Sequence, residues 1–166
     1  QAIEGVDDPF DALRRSIDQS LARLGRVDVL QLHKTTSDVL RSDDLARAWE
    51  YARSVGIARL GPSVSDLDSA ALAVADGSFS VIQLPLNLAN RRFEAPAREA
   101  SARGMSVVAN RPFAMGAMLY GDAPVTRADA FAYMLGLGLN GVILTGTADT
   151  AHLDENLAAF HEASAR

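Results

Sequence analysis

The stretch VDVLQLHKTT, residues 27–36, joins a short apolar run to a titratable ring. Valine and leucine dominate residues 27–32, which is typical of a strand covered on both faces. His33 follows directly, at the point where such a strand would give way to a loop. Two interpretations compete: a core histidine held by a hydrogen bond, or a ring that faces a ligand. The surrounding sequence has to decide between them.

Four further runs of the same kind lie along the chain, and helical patterns alternate with them. The runs are ARLG (58–61), FSVIQL (79–84), MSVVA (105–109) and GVILT (141–145). The amphipathic helical segments span 8–25, 42–56, 66–77, 93–104, 126–138 and 150–166. Strands that alternate with helices predict an α/β fold with a parallel sheet and right-handed crossovers, here a helix followed by five βα units.

Capping residues mark where several of these helices begin and end. Pro9 lies near the start of the first helical segment, and Gly25 lies just past its end. Ser42 is the predicted N-cap of the second helix, and either Ser65 or Asp66 opens the third. These positions therefore predict helix boundaries independently of the apolar pattern.

Composition limits the class of protein. The 166 residues suit a single domain spanning 1–166. A formal charge of −5 without basic blocks argues against a nucleic-acid binder, and the lack of cysteine excludes disulfides and thiolate metal ligands. No spacing of histidines and carboxylates suggests a metal site. The longest apolar stretch, 133–146, is too short to cross a bilayer, and no leader peptide is evident, so we expect a cytoplasmic protein without membrane contact.

Polar residues stand at or near the predicted carboxyl ends of the strands, where parallel α/β folds bind ligands. They are His33, Ser63, Gln83, Asn110, and Thr145 with Gly146. Five βα units cannot close an eight-stranded barrel, so the pattern fits either an open doubly wound sheet or the later part of a barrel. In both architectures His33 lies on the functional rim.

Five segments of the chain, in order, resemble those of an aldo-keto reductase. They are SLARLGRVDVLQLHK (20–34), GIARLGPSVS (56–65), VIQLPLNLANRR (81–92), VVANRPFAMGAML (107–119) and VILTGTADTAHLDENLAAF (142–160). The resemblance implies the later part of a (β/α)8 TIM barrel, formed by five parallel βα units preceded by a helix. It also implies reduction of aldehydes or ketones by hydride transfer, with NADP or NAD as cofactor.

The same resemblance implies roles for individual residues. His33 would orient and polarise the substrate carbonyl, and Ser63 and Gln83 would hydrogen-bond the nicotinamide carboxamide. The other implied cofactor contacts lie near the nicotinamide, the pyrophosphate and the adenosine: Asn110, Phe113, Gly116, Gly146, Thr147, His152, Glu155 and Asn156. The start of the last helix, near residue 150, would offer its positive dipole to phosphate.

The sequence departs from the family pattern in its proton donor. The family's proton-donating tyrosine, with its lysine and aspartate, belongs to the first barrel strands, and this sequence starts after the segments that would carry them. The tyrosines that are present, Tyr51, Tyr120 and Tyr133, do not match that position. A free phenol has a pKa near 10 and needs a neighbour such as lysine to act near neutrality. We therefore expect no efficient reductase activity from these residues alone.

The cofactor positions depart from the commonest pattern as well. Val64 stands where many members have asparagine, and Asn110 stands where many have a tyrosine that stacks on the nicotinamide. Gly146 and His152 replace the lysine and arginine of members that prefer NADPH. Because phosphate attracts basic donors, these replacements favour NADH or weaken cofactor binding.

Three hypotheses follow. In the first, the chain is the carboxyl-terminal portion of an aldo-keto reductase, whose first strands are cleaved, left out of the expressed chain, or supplied by another chain. In the second, it is a non-enzymatic relative that serves as a binding or subunit-interaction module. In the third, it is a flavodoxin-like domain that binds another nucleotide. In the first case the apolar edges at VDVLQL and GVILT predict self-association, or pairing with a missing amino-terminal half-barrel.

Overall fold

The computed structural model describes residues 7–166, which form an α/β chain of eight α-helices and five short strands. The helices are α1 Pro9–Leu24, α2 Ser37–Leu40, α3 Asp43–Ser54, α4 Leu67–Asp76, α5 Glu94–Ala102, α6 Ala117–Tyr120, α7 Arg127–Gly136 and α8 Thr150–Ser164. The strands are β1 Val29–Leu32, β2 Arg59–Pro62, β3 Val81–Pro85, β4 Ser106–Asn110 and β5 Gly141–Ile143. The predicted order, a helix followed by five βα units, is confirmed.

The predicted capping residues explain where the helices begin and end. The Asp8 carboxylate accepts a hydrogen bond from the Asp11 N–H at the start of α1, and Gly25 ends this helix with φ of 71°. Ser42 caps α3. Of the two candidates for the start of α4, Asp66 is the one whose side chain accepts the capping hydrogen bond.

The described residues fall into two compact units, one up to Ile82 and one from Gln83 to Arg166. The single domain spanning 1–166 remains a prediction, and its first six residues lie outside the described part. In the first unit, β1 and β2 pair in parallel, from Val29 opposite Arg59 to Leu32 opposite Pro62. Helices α1 and α3 of the same unit pack against each other.

Two backbone segments of the first unit approach each other so closely that position 61 requires glycine. The Ser80 N–H donates to the Leu60 carbonyl at 2.9 Å. A side chain at Gly61 would place its Cβ 1.8 Å from the Val81 carbonyl oxygen. The strand can therefore carry only glycine at this position without moving.

The other sheet has three strands in the order β3-β4-β5, and all of it except the first two residues of β3 belongs to the second unit. Strands β4 and β5 pair in parallel, with Val107 opposite Gly141 and Ala109 opposite Ile143. Helices α7 and α8 pack against each other, and the Phe131 ring makes edge-to-face contacts with Phe113 and Phe160. This aromatic cluster ties both helices to the loop after β4.

Three short elements were not predicted: α2, α6 and a 3-10 turn at Ala114–Gly116. Each spans only three or four residues, which is too few for a helical apolar period to appear. Strand β5 ends at Ile143, two residues before the predicted run ends. Within residues 7–166, no helix combines the length and the apolar character that a bilayer span requires.

Candidate functional site

His33 directly follows β1, and Ser63 directly follows β2. Because these strands are parallel and paired, both residues lie at the carboxyl end of the first sheet. The Ser63 N–H donates to the Leu32 carbonyl at 2.8 Å, and the Thr35 N–H donates to the Ser63 carbonyl at 2.8 Å. The buried Thr35 hydroxyl also donates to the Leu32 carbonyl, at 2.9 Å. Two hydrogen bonds therefore hold the turn that carries His33 to the residue after β2, and the third closes the turn on the end of β1.

The His33 side chain is exposed, whereas Ser63 is buried. An exposed ring on a hydrogen-bonded turn does not fit the core-histidine interpretation. The backbone of this turn is held in place, while the imidazole is exposed. Lys34 beside it has φ of 53°, a left-handed conformation that costs a non-glycine residue about 1 kcal/mol or more.

Gln83 lies in the middle of β3, as the third of its five residues, and is half-buried between two fully buried neighbours. It is thus further from the strand end than expected. Asn87, four residues further along the chain, is buried. Its amide nitrogen donates to the Arg111 carbonyl at 3.0 Å, and its oxygen accepts from the Asn90 N–H. Asn87 therefore holds the loop after β3 to the loop after β4.

A cavity of about 530 Å³ opens at the carboxyl ends of β4 and β5 in the second unit, and we call it the strand-end cavity. The predicted cofactor residues that line it are Asn110, Phe113, Gly116, Gly146, Thr147, His152 and Asn156. Glu155 lies instead on a neighbouring shallow groove. A cavity of this volume is typical of small-molecule sites.

Asn110, the last residue of β4, lines the strand-end cavity and has a side-chain acceptor without a partner. Its backbone carbonyl accepts from the Leu86 N–H at 3.1 Å. Its side-chain oxygen is buried, and no donor reaches it within residues 7–166. Leaving a buried acceptor unpaired costs about 1–3 kcal/mol. The unpaired oxygen therefore sets Asn110 apart from the other residues that line the cavity.

Several residues in the loop after β4 have a left-handed backbone conformation. Arg111, Ala114 and Met115 have φ of 56°, 48° and 58°, and Gly116 has φ of 92°. Only the glycine adopts this region without cost, while the others are held by short turns such as the Gly116 N–H to Phe113 carbonyl bond of 2.9 Å. Strain of this kind is found preferentially at ligand sites.

The start of α8 carries a carboxylate that the sequence interpretation did not weigh. The Asp149 side chain accepts from the Ala151 N–H at 2.8 Å, which completes the N-cap. The Thr147 hydroxyl donates to the Asp149 carbonyl and accepts from the Asp149 N–H, both at 3.1 Å. A phosphate at this helix start would meet a negative neighbour, which opposes the attraction of the helix dipole.

Arg127, at the start of α7, was also missed. Its Nη2 lies 2.7 Å from Glu155 Oε2 and 3.4 Å from the Tyr120 hydroxyl, and its Nε donates to Asn156 Oδ1 at 3.1 Å. Arg127, Tyr120 and Asn156 line the strand-end cavity. Residues 29 positions apart carry no local spacing signal, so only the packing of α7 against α8 brings Arg127 to Asn156.

Two of the tyrosines are poorly suited to donate a proton near neutrality. A hydrogen bond to the Asp18 carboxylate and partial burial raise the pKa of Tyr51. Burial and the Glu94 carboxylate raise the pKa of Tyr133. An efficient general acid needs a pKa close to the working pH, so both shifts run in the wrong direction.

The strand-end cavity fits part of a nicotinamide dinucleotide. Asn110 contributes an amide to its lining, the loop after β4 contributes backbone in left-handed conformations, and Arg111 contributes an exposed cation. The Asp149 carboxylate is the one group described above that opposes a phosphate nearby.

Neither a protein-family model nor a curated protein matches the sequence. Solved structures do resemble the fold. A putative aldo-keto reductase from Pseudomonas aeruginosa superposes with a TM-score of 0.79 at 19% identity, over 93% of this chain and 60% of that one. An aldo-keto reductase from Bacillus halodurans, in its holo form, gives 0.74 at 20% identity, over 91% and 62%.

The glycerol dehydrogenase from Gluconobacter oxydans gives a TM-score of 0.68 at 17% identity, over 95% of this chain and 64% of that one. The chain thus spans about 60% of the length of the first structures it resembles. At these identities the likeness shows the fold alone. The parallel strands and their helices confirm the predicted fold class, so this chain has the fold of the carboxyl-terminal portion of an aldo-keto reductase TIM barrel.

Proposed function

We propose that this chain forms the carboxyl-terminal portion of an NAD(P)-dependent aldo-keto reductase. The observation that carries the proposal is the strand-end cavity, because seven of the ten residues expected to bind the cofactor line it. The unpaired Asn110 oxygen and the strained loop after β4 add support. NAD and NADP are the candidate cofactors, and small aldehydes or ketones are the substrate class.

The bound cofactor would supply a hydride to the substrate carbonyl. His33 would donate a hydrogen bond to the carbonyl oxygen, which orients and polarises it. Ser63 and Gln83 would hydrogen-bond the carboxamide of the nicotinamide, and the loop after β4 would approach the pyrophosphate. Glu155 and Asn156 would meet the adenosine end.

Reduction of a carbonyl leaves an alkoxide that needs a proton. Tyr51 and Tyr133 have raised pKa values, and neither residue lines the strand-end cavity. His33 is the group we expect to face the carbonyl. We therefore propose that the 166 residues alone bind the dinucleotide but reduce carbonyl substrates with it inefficiently.

Cofactor binding tests the proposal directly. We expect NAD+ to bind the 166-residue chain in a calorimetric titration, more tightly than NADP+. Asn110→Ala should weaken NAD+ binding about tenfold, because the ligand loses one buried hydrogen bond of about 1.4 kcal/mol. Asn140→Ala, which alters an exposed asparagine just before β5, is the matched control and should leave the affinity unchanged. Absence of binding to either dinucleotide would contradict the proposal.

A second candidate function is a binding or subunit-interaction module, and an exposed apolar surface favours it. A groove of about 370 Å³ runs between β5 and helices α7 and α8. Large apolar side chains on it are strongly exposed, among them Val142 at 55% and Leu157 at 50%. Surfaces of this kind commonly mark protein interfaces. An amino-terminal half-barrel, or a second copy of the chain, is the proposed partner.

The two functions predict different results. A module that acts only through its apolar groove should self-associate or capture its partner and should not bind dinucleotide. Val142→Lys would then abolish association, measured by light scattering after size exclusion. For the reductase portion, the same substitution should leave NAD+ affinity nearly unchanged, since Val142 does not line the strand-end cavity.

A further inference from the structure

We propose that Arg127 is a positioning residue that fixes the Asn156 amide, so that Asn156 offers its NH2 group to a neutral acceptor on the adenosine part of the ligand. This inference rests on the proposed function, because it concerns the adenosine end of the same cavity. It adds a residue and a direction of hydrogen bonding that the family resemblance does not supply.

The chemistry of arginine sets the orientation of the amide. A guanidinium carries only donors, so the Asn156 atom that lies 3.1 Å from Arg127 Nε must be the carbonyl oxygen. Turning the amide by 180° would bring an NH2 group against the guanidinium, two donors facing each other. Asn156 is only 7% exposed and lines the strand-end cavity, so its amide has few alternative partners. The NH2 group is thereby left for the ligand.

Glu155 determines what kind of acceptor the cluster favours. Its carboxylate lies 2.7 Å from Arg127 Nη2, which holds the guanidinium in place and balances its charge. Arg127 is itself largely covered, with a side-chain exposure of 21%. A paired, partly buried guanidinium has little free charge for a phosphate. The ligand atom is therefore a neutral acceptor, a ring nitrogen of the base or a ribose oxygen.

Tyr120 extends the same pattern. Its hydroxyl lies 3.4 Å from Arg127 Nη2, so it accepts from the guanidinium and keeps its own proton for another acceptor. Tyr120 and Asn156 both line the strand-end cavity. Arg127 thus turns two groups that could donate or accept into groups that donate towards the ligand.

A double-mutant cycle on NAD+ binding tests whether Arg127 acts through Asn156. With the 166-residue chain, Arg127→Met should weaken NAD+ binding about tenfold when Asn156 is present and less than about twofold in an Asn156→Ala background. Arg103→Met, which removes an exposed ion pair with Glu99 on α5, is the control and should not change the affinity. Equal losses in both backgrounds would overturn the inference and leave the proposed function standing.

A second variant separates binding from folding, in case Arg127→Met does not fold. Asn156→Asp keeps an acceptor for Arg127 and turns the contact into an ion pair, while it removes the NH2 donor. We expect an unchanged or higher melting temperature together with a loss of about tenfold in NAD+ affinity. Unaltered NAD+ affinity would overturn the inference. If the unsubstituted chain binds neither NAD+ nor NADP+, the proposed function fails, and this inference fails with it.

Discussion

Replacing Gly141 by alanine should unfold the second unit far more readily than its single added methyl group suggests. Gly141 lies opposite Val107 in the β4–β5 pair. A Cβ at this position would lie 1.8 Å from the Val107 carbonyl oxygen and 2.8 Å from its nitrogen. Both contacts are with backbone, so no side chain can rotate away, and the two strands must separate by more than 1 Å.

Separation of the strands disrupts the hydrogen bonds that join them. The Val107 N–H to Asn140 carbonyl bond of 2.8 Å and the Leu144 N–H to Ala109 carbonyl bond of 2.9 Å flank the substituted residue. Each bond contributes about 1 kcal/mol, and loss of strand packing adds a similar amount, so we expect a loss of about 3 kcal/mol or more. With a urea dependence of about 2 kcal/mol per molar, the unfolding midpoint should fall by about 1.5 M.

The assay is urea unfolding followed by far-ultraviolet circular dichroism and by fluorescence. The chain has a single tryptophan, Trp49, which lies in the first unit, so its fluorescence reports that unit separately. Gly136→Ala is the matched control, because nothing lies within 4 Å of the added Cβ and the residue ends helix α7. This control should raise stability by about 0.5–1 kcal/mol. Equal midpoints for the two variants would refute the steric reasoning.

Two further predictions concern other elements. Thr35→Val keeps the shape of the side chain but removes the buried hydrogen bond from the hydroxyl to the Leu32 carbonyl. The free energy of unfolding measured in urea should therefore fall by about 1–2 kcal/mol. An unchanged unfolding midpoint would contradict the role of this bond in holding the His33 turn. The raised pKa of Tyr133 means that the folded chain holds this proton more tightly than the unfolded chain. The resulting stability is present below pH of about 10 and is lost as pH rises through the folded pKa. Absorbance titration should show two phenols that ionise later than a free tyrosine, Tyr51 and Tyr133, and one of them should disappear in Tyr133→Phe. Full titration of all phenols near pH of about 10 would contradict this prediction.

Local signals in the sequence predicted most of the fold. The apolar periods indicated all five strands and the six longer helices, and Ser42 and Asp66 begin helices because their side chains accept hydrogen bonds from nearby backbone N–H groups. These interactions span at most four residues, so they can be read from neighbours in the chain. The short helices α2 and α6 escaped because four residues complete barely one turn.

The candidate site was less predictable, because its decisive contacts join distant residues. Strand ends indicated Asn110, but nothing in the sequence shows that its oxygen is buried without a donor. Arg127 reaches Asn156 only because α7 packs on α8. Asp149 could have been recognised as an N-cap from its place before the last helix, and with it the negative charge at that helix start.

The strand-end cavity and the apolar groove compete as ligand sites in the second unit, and energetic arguments favour the cavity for a small molecule. Three non-glycine residues beside it adopt left-handed backbone, at about 1–2 kcal/mol each, and the unpaired Asn110 oxygen adds about 1–3 kcal/mol. The groove is lined mostly by apolar side chains, several of them exposed, which a partner chain could cover. A ligand that forms a hydrogen bond with Asn110 offsets part of the energetic cost at the cavity.

Such a ligand should stabilise the fold. At 100 times its dissociation constant, NAD+ should raise the free energy of unfolding by about 2.7 kcal/mol. Asn110→Ala should reduce that gain in parallel with its loss of affinity, and an undiminished gain would place the dinucleotide elsewhere on the chain.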